Sequence, residues 1–262
     1  MATSSINANN AAGTAPSTDV YNRVQQTLSS QNTGVAKLNA TLARDQTRLS
    51  GLGQLQSALS TFQAQAASLA GGKAATTTPD ATQTGKNVRA FVAAFNQLNQ
   101  KMLALQGGDL KGDVALGQVS RQMAQLLKTG GDGVAAGALA KAGVTLDASG
   151  NLQVDDKKLA AALAADAGGV AKLLSNGGKG MADQLAAKAG AFTADNSVIR
   201  REASTLNKEI TAINGKRSVL SKALTTQANA LAALYTQQAQ TGGGGLLGGT
   251  GGATGTAFDF LA

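Results

Sequence analysis

Between Ile199 and Leu234 apolar residues return at alternating steps of four and three, a spacing that constrains this chain more than any other feature. Ile199, Ala203, Leu206, Ile210, Ile213, Leu220, Leu224, Leu231 and Leu234 hold the register, interrupted only by Arg217 and Gln227. A sustained period of about 3.5 residues keeps one seam facing a partner helix, because a straight helix of about 3.6 residues per turn would rotate it away. A helix of this length, roughly 54 Å at about 1.5 Å per residue, cannot bury such a seam alone. The counterpart lies towards the other end: Val35, Leu38, Leu42, Asp45, Leu49, Leu52, Leu55, Leu59, Phe62, Ala66 and Leu69. The expected fold is mainly α, with long antiparallel terminal coiled-coil helices around a small helical domain with one β-hairpin. If Leu69 lies near Ile199, Asp45 and Arg217 approach each other, and a polar pair among leucines costs stability while fixing register. The alternative is that each side chain snorkels separately to water.

Composition narrows the function classes. With 33 Gly and 3% aromatic residues in 262, one large compact core is not expected, and long helices packed on neighbours fit better. The net charge of +8 is spread along the chain without a basic stripe or interleaved aromatics, so no nucleic-acid partner is expected. The absence of cysteine and histidine removes disulfides, thiolate chemistry, hydrolytic triads and most zinc or haem sites. No cofactor, metal or enzymatic activity is implied. The start, MATSSINANNAAGTAPSTDV, has no positive run before an apolar one, so neither a cleaved signal peptide nor an anchor is expected there. No apolar stretch is long enough for stable membrane insertion.

Composition and periodicity divide the chain into segments. Residues 1–16 are expected to be disordered, and 17–70 to form the N-terminal helices and coiled coil, with a break or fray at Asn32-Thr33-Gly34 and a bend beside Gly51 and Gly53. Residues 71–87 read as a linker and 88–190 as a small α domain. In that domain Phe91, Phe95, Leu98, Met102 and Leu105 share a helix face, and Leu116, Val119, Met123 and Leu126 share another. Between 143 and 154 the period switches to two, predicting a hairpin with Val144 and Leu146 facing Leu152 and Val154 across Ala148-Ser149-Gly150. Asp155 is placed to cap the next helix, residues 176–180 read as a glycine hinge, and Asp195 or Asn196 is expected to cap the C-terminal coiled-coil helix within 191–240. Residues 241–262 form a Gly-rich tail ending in Phe258, Phe260 and Leu261, read either as a docking motif or as an unstructured end.

The chemical motifs are weak. Asp147, Ser149, Asn151 and Asp155 alternate around Gly150 as calcium ligands would, but the glycine stands fourth and no glutamate closes the loop, so a plain hairpin turn is the better reading. The glycine clusters contain neither phosphate-loop nor dinucleotide spacing. The heptads themselves fit two readings, an assembly seam or an ordinary intramolecular helical pair.

The order of segments resembles the bacterial flagellar filament cap family, also called hook-associated protein 2. Val88 to Met102 (VRAFVAAFNQLNQKM) resembles that family's F-V-x-x-Y-N-x-L helix, with Phe95 where tyrosine is usual. DLKGDVALGQVSRQMAQLL, from Asp109 to Leu127, is similar to its G-x-L-x-G-D-x-x-L segment. LAKAGVTLDASGNLQVDDKKLAAALAAD, from Leu139 to Asp166, resembles its most specific block, a hairpin between two helices. Members usually carry several hundred residues of β-rich domain where only the 71–87 linker stands here, so the chain resembles a short form lacking that insertion.

The resemblance implies a non-enzymatic protein, exported without a cleaved signal peptide through the flagellar type III apparatus to the distal tip of the filament. It implies a ring homo-oligomer, commonly a pentamer, which promotes flagellin polymerisation and prevents its loss. Flagellin, hook–filament junction proteins and an export chaperone are the implied partners. Two competing readings remain: another helical axial or needle-tip export substrate, and a membrane-active amphipathic helical protein.

Overall fold

The structure is a computed structural model and describes residues 18–70 and 80–240. Within the long terminal helices the side chains of 18–25, 27–32, 70, 228, 231–232 and 234–240 also fall outside the description. The expected polar N-terminus, most of the 71–87 linker and the Gly-rich tail with Phe258, Phe260 and Leu261 lie outside the described residues. So do the side chains of Leu231 and Leu234.

The described chain is mainly α: α1 (Thr18–Ala70), α2 (Ala81–Gly107), α3 (Val114–Thr129), α4 (Ala138–Lys141), β1 (Val144–Leu146), β2 (Leu152–Val154), α5 (Asp156–Leu174), α6 (Met181–Thr193) and α7 (Val198–Gln240). It forms two compact units, Thr41–Thr211 and Met1–Ala40 with Ala212–Ala262, so each long helix contributes to both. No described helix is long and apolar enough to cross a membrane.

In the Thr41–Thr211 unit one core runs from Leu52 of α1, through α2 to α6, to Leu206 of α7. The boundaries expected near residues 70, 88 and 190 therefore do not divide it. Leu52, Leu55, Leu59, Phe62 and Ala66 of α1 are fully buried, as are Val88, Phe91, Phe95, Leu98, Met102 and Leu105 of α2. The spacing that makes each face apolar is what brings the two helices together, with Phe62 edge-on to Phe95 at 6.1 Å between ring centroids.

Several sequence expectations are corrected. α1 is continuous through Asn32-Thr33-Gly34, and Gly51 and Gly53 lie inside it. Gly51 is a packing contact: a Cβ there would stand 2.8 Å from Leu110 Cγ, so glycine admits the buried Leu110 against the helix. α2 begins at Ala81, before the residues assigned to it, because Asp80 accepts from the amides of Thr82 and Gln83. Its first turns are buried through Thr84 and Gly85, which carry no hydropathy signal. α7 is capped by Ser197, whose hydroxyl accepts from Arg200 N at 3.2 Å, and not by Asp195 or Asn196.

The expected register is also corrected. Arg48 of α1 pairs with Glu202 of α7, whereas the spacing predicts Leu69 beside Ile199; the helices are shifted by several turns. Along α1, Gln63 approaches Gly190 of α6 and Arg48 meets Glu202, so α1 runs antiparallel to the chain from α6 into α7. Asp45 is buried and pairs with its neighbour Arg44 at 3.2 Å, while Arg217, in the other unit, donates to Asn214.

The hairpin forms as spaced, with Val144, Thr145 and Leu146 opposite Val154, Gln153 and Leu152. Its turn is closed by Asp147, whose carboxylate accepts from the amides of Ser149 and Asn151, each at 2.8 Å, and from the Gln153 side chain at 3.1 Å. These donors, the Asn151 amide first, hold Asp147 below the usual carboxylate range. Asp155 caps α5 through Lys158 N. The two carboxylates that a calcium reading needs, Asp147 and Asp155, thus accept from nearby backbone amides.

Candidate functional site

The structure joins the sequence blocks into one polar framework. Asn96, the asparagine of the F-V-x-x-F-N stretch on α2, clamps β2 with both ends of its amide. Its Nδ2 donates to Leu152 O at 2.9 Å and its Oδ1 accepts from Leu152 N at 2.7 Å. Asn99, one turn on, donates to Ser149 O and to Asn151 Oδ1. A hairpin this short is not stable by itself, and α2 supplies the missing edge partner. Replacing Asn96 with alanine leaves both Leu152 backbone groups unmatched and is expected to cost about 2 kcal/mol. Amide exchange checks this: Leu152 N–H loses protection, while Leu116 N–H, held by Asp113 at 3.0 Å, keeps it.

The second junction is ionic. Asp113 caps α3 through Leu116 N and accepts from Arg48 at 3.2 Å, and Arg48 also pairs with Glu202. The Asp113 side chain is 0% exposed, Glu202 19% and Arg48 34%. One guanidinium therefore serves two carboxylates on segments remote in sequence. Burial and the adjacent Asp113, which hydrogen-bonds it and repels it, push the Glu202 carboxyl up to about 7, against the pull of Arg48. The apolar spacing marks charges inside the seam, and Arg48 and Glu202 lie outside it. Both stand beside seam residues, Leu49 and Ala203, at the flanking positions where charges pair across helices.

The third junction replaces the expected glycine hinge. Asp183 of α6 accepts from the amides of Asn176, Gly178 and Gly180 and from the Ser175 hydroxyl, bracing the loop before α6. Gln184 ties that loop to another, through Lys179 O at 2.7 Å and both backbone groups of Asp132 at 2.9 Å.

The heptad residues separate by unit. Within Thr41–Thr211, Leu42, Asp45, Leu52, Leu55, Leu59, Phe62, Ile199 and Leu206 are buried, and Leu49, Leu69, Ala203 and Ile210 are half-buried. Within the other unit Ile213 is buried, Val35, Leu38, Leu220 and Leu224 are half-buried, and Arg217 is exposed. Val219, off the seam on α7, is 69% exposed. Among the described residues no group of three or more Asp, Glu, His or Cys could hold a metal ion. The arrangement pairs helices and locks their register.

These segments are those of a known family. The sequence model described as flagellar hook-associated protein 2 C-terminus matches residues 19–241, spanning both heptad helices and every junction above. No curated protein sequence matches the chain. Among solved structures it is similar to the crystal structure of the flagellar cap protein FliD, domains D1-D2-D3, from Escherichia coli. That match has 26% identity and a TM-score of 0.45, over 49% of this chain and 37% of that one. The chain thus matches little more than a third of that structure's length. On the family match, which covers most of its residues, the chain belongs to the flagellar hook-associated protein 2 family.

Proposed function

We propose that the protein is a structural cap at the distal end of the flagellar filament, where it promotes flagellin polymerisation and keeps exported subunits from escaping. The observation that carries this reading is the family match over 19–241. The physical arrangement supports it: the helical framework is locked by Asn96, Arg48 and Asp183, and its recognised chemistry is hydrogen bonding and ion pairing. Val35, Leu38, Leu220 and Leu224 are incompletely buried within their unit, and neighbouring subunits of a ring, a pentamer in this reading, complete that seam. Flagellin and the hook–filament junction proteins are the partners along the axis, and an export chaperone holds the chain before secretion through the flagellar route.

The test is a deletion strain. Monomeric flagellin is expected to accumulate in the medium with short or absent filaments, and expression of this chain is expected to reverse both. Normal filaments without the gene sink the reading. In the same strain, a chain lacking residues 257–262 examines the docking role of Phe258, Phe260 and Leu261. Burying two phenylalanines and a leucine contributes roughly 5 kcal/mol before ordering costs, so its loss is expected to lower secretion or ring formation.

A further inference from the structure

The loop between α5 and α6 carries the dipeptide Asn176-Gly177, and its hydrogen bonding is uneven. A single Asp183 oxygen takes the amides of Asn176 at 2.8 Å, Gly178 at 3.1 Å and Gly180 at 3.1 Å. Lys179 N donates to Asn176 O at 3.1 Å. The one amide in the run from 176 to 180 that these bonds pass over is that of Gly177. Asn176 and Gly177 are both exposed, and nothing lies within 4 Å of where a Gly177 Cβ would stand. A nucleophilic nitrogen, an adjacent carboxamide and open space therefore coincide at one bond.

We propose that Asn176 is a site of spontaneous, irreversible deamidation. The Gly177 backbone nitrogen, losing its proton to solvent, attacks Cγ of Asn176. A C–N bond forms, the Cγ–Nδ2 bond breaks, and ammonia leaves with a proton taken from solvent, closing a succinimide. One water then opens the ring at either carbonyl, giving aspartate or isoaspartate. The balance is one water in and one ammonia out, with no change of oxidation state. Either product sets a new carboxylate beside Asp183, and isoaspartate also lengthens the backbone by a methylene where three amides are held in register. The start of α6 is the element the reaction loosens.

The chain contains its own control. Asn214-Gly215 is the same dipeptide, also exposed and also with nothing within 4 Å of a Gly215 Cβ. It lies inside α7, however, where Gly215 N–H belongs to the helical ladder and the Asn214 side-chain Oδ1 accepts from Arg217. The helix has to open before that nitrogen can attack.

The experiment incubates the purified full-length protein in mildly alkaline buffer and follows both peptides by proteolysis and mass spectrometry, with isoaspartate and released ammonia measured in parallel. The Asn176 peptide is expected to convert at least about tenfold faster than the Asn214 peptide, since only the latter needs local opening. In urea sufficient to unfold the chain the two rates are expected to converge. Asn176→Gln is expected to remove the fast phase with unchanged circular dichroism. Equal rates in the folded protein, or no conversion at Asn176, overturn the proposal.

Discussion

Phe62→Ala is expected to destabilise the Thr41–Thr211 unit by about 3–5 kcal/mol, the range for deleting a buried aromatic side chain. Phe62 is 1% exposed and its ring meets that of Phe95 at 79°, so both dispersion contacts and an edge-to-face pairing are lost. Phe62 stands on the face by which α1 enters the core, in line with Leu55, Leu59 and Ala66, which are equally buried. Thermal unfolding of a unit this size is expected to shift down by about 10 °C. Phe62→Leu, which keeps most of the volume, is expected to lose about half as much. Val219→Ala, on exposed α7 surface, is expected to stay within about 0.5 kcal/mol of the parent. A Phe62→Ala loss no larger than that of Val219→Ala would remove the argument that this face joins α1 to the domain.

The second large effect is expected at Arg48. Arg48→Ala leaves the fully buried Asp113 and the mostly buried Glu202 facing each other without a cation, a loss of about 3 kcal/mol. Its pH dependence identifies the cause. Glu202 titrates near 7 in the fold and near 4.5 in the unfolded chain, so between these values the folded state holds a proton that the unfolded state has released. Stability from this group is complete below pH 4.5, falls as pH rises through 7, and is absent above it. Glu202→Gln, which keeps the shape and removes the charge, is expected to flatten that part of the profile and raise the midpoint temperature above pH 7. Combined with Arg48→Ala it is expected to recover part of the loss. Denaturation across the window measures both, and an unchanged slope in Glu202→Gln would place the titrating group elsewhere.

The long helices were legible because burial in them follows apolar spacing: Leu52, Leu55, Leu59, Phe62 and Ala66 recur at helical intervals and are buried together. The hairpin was legible for the corresponding reason, an alternation over a few residues bounded by a glycine turn. The remainder was hidden because it is built from groups without hydropathy. Gly51 and Gly85 make helix faces by being small, and a periodicity search passes over them. Asn96 holds a strand through one side-chain amide, and only its place in a family motif marks it. The register error has a specific origin. The apolar spacing predicts that the ends of the two terminal helices meet, but α6 occupies that part of α1, with Gly190 against Gln63, and α7 meets α1 further along, at Arg48.

Arg48 and Glu202 are separated by 154 residues of chain, and Arg48 and Asp113 by 65. Closing so long a loop adds little entropy cost beyond that of a moderate one, yet the contact gains nothing until the helices between have packed, and non-local pairing of this kind slows folding. While α7 is undocked, α1 and α3 can still meet through Arg48 and Asp113. For that interval the guanidinium has a single counter-charge, and the surface that Ile199 and Leu206 later cover stays open. Docking of α7 is what hides this surface, so the pair of Arg48 with Glu202 can form only where the two long helices have met.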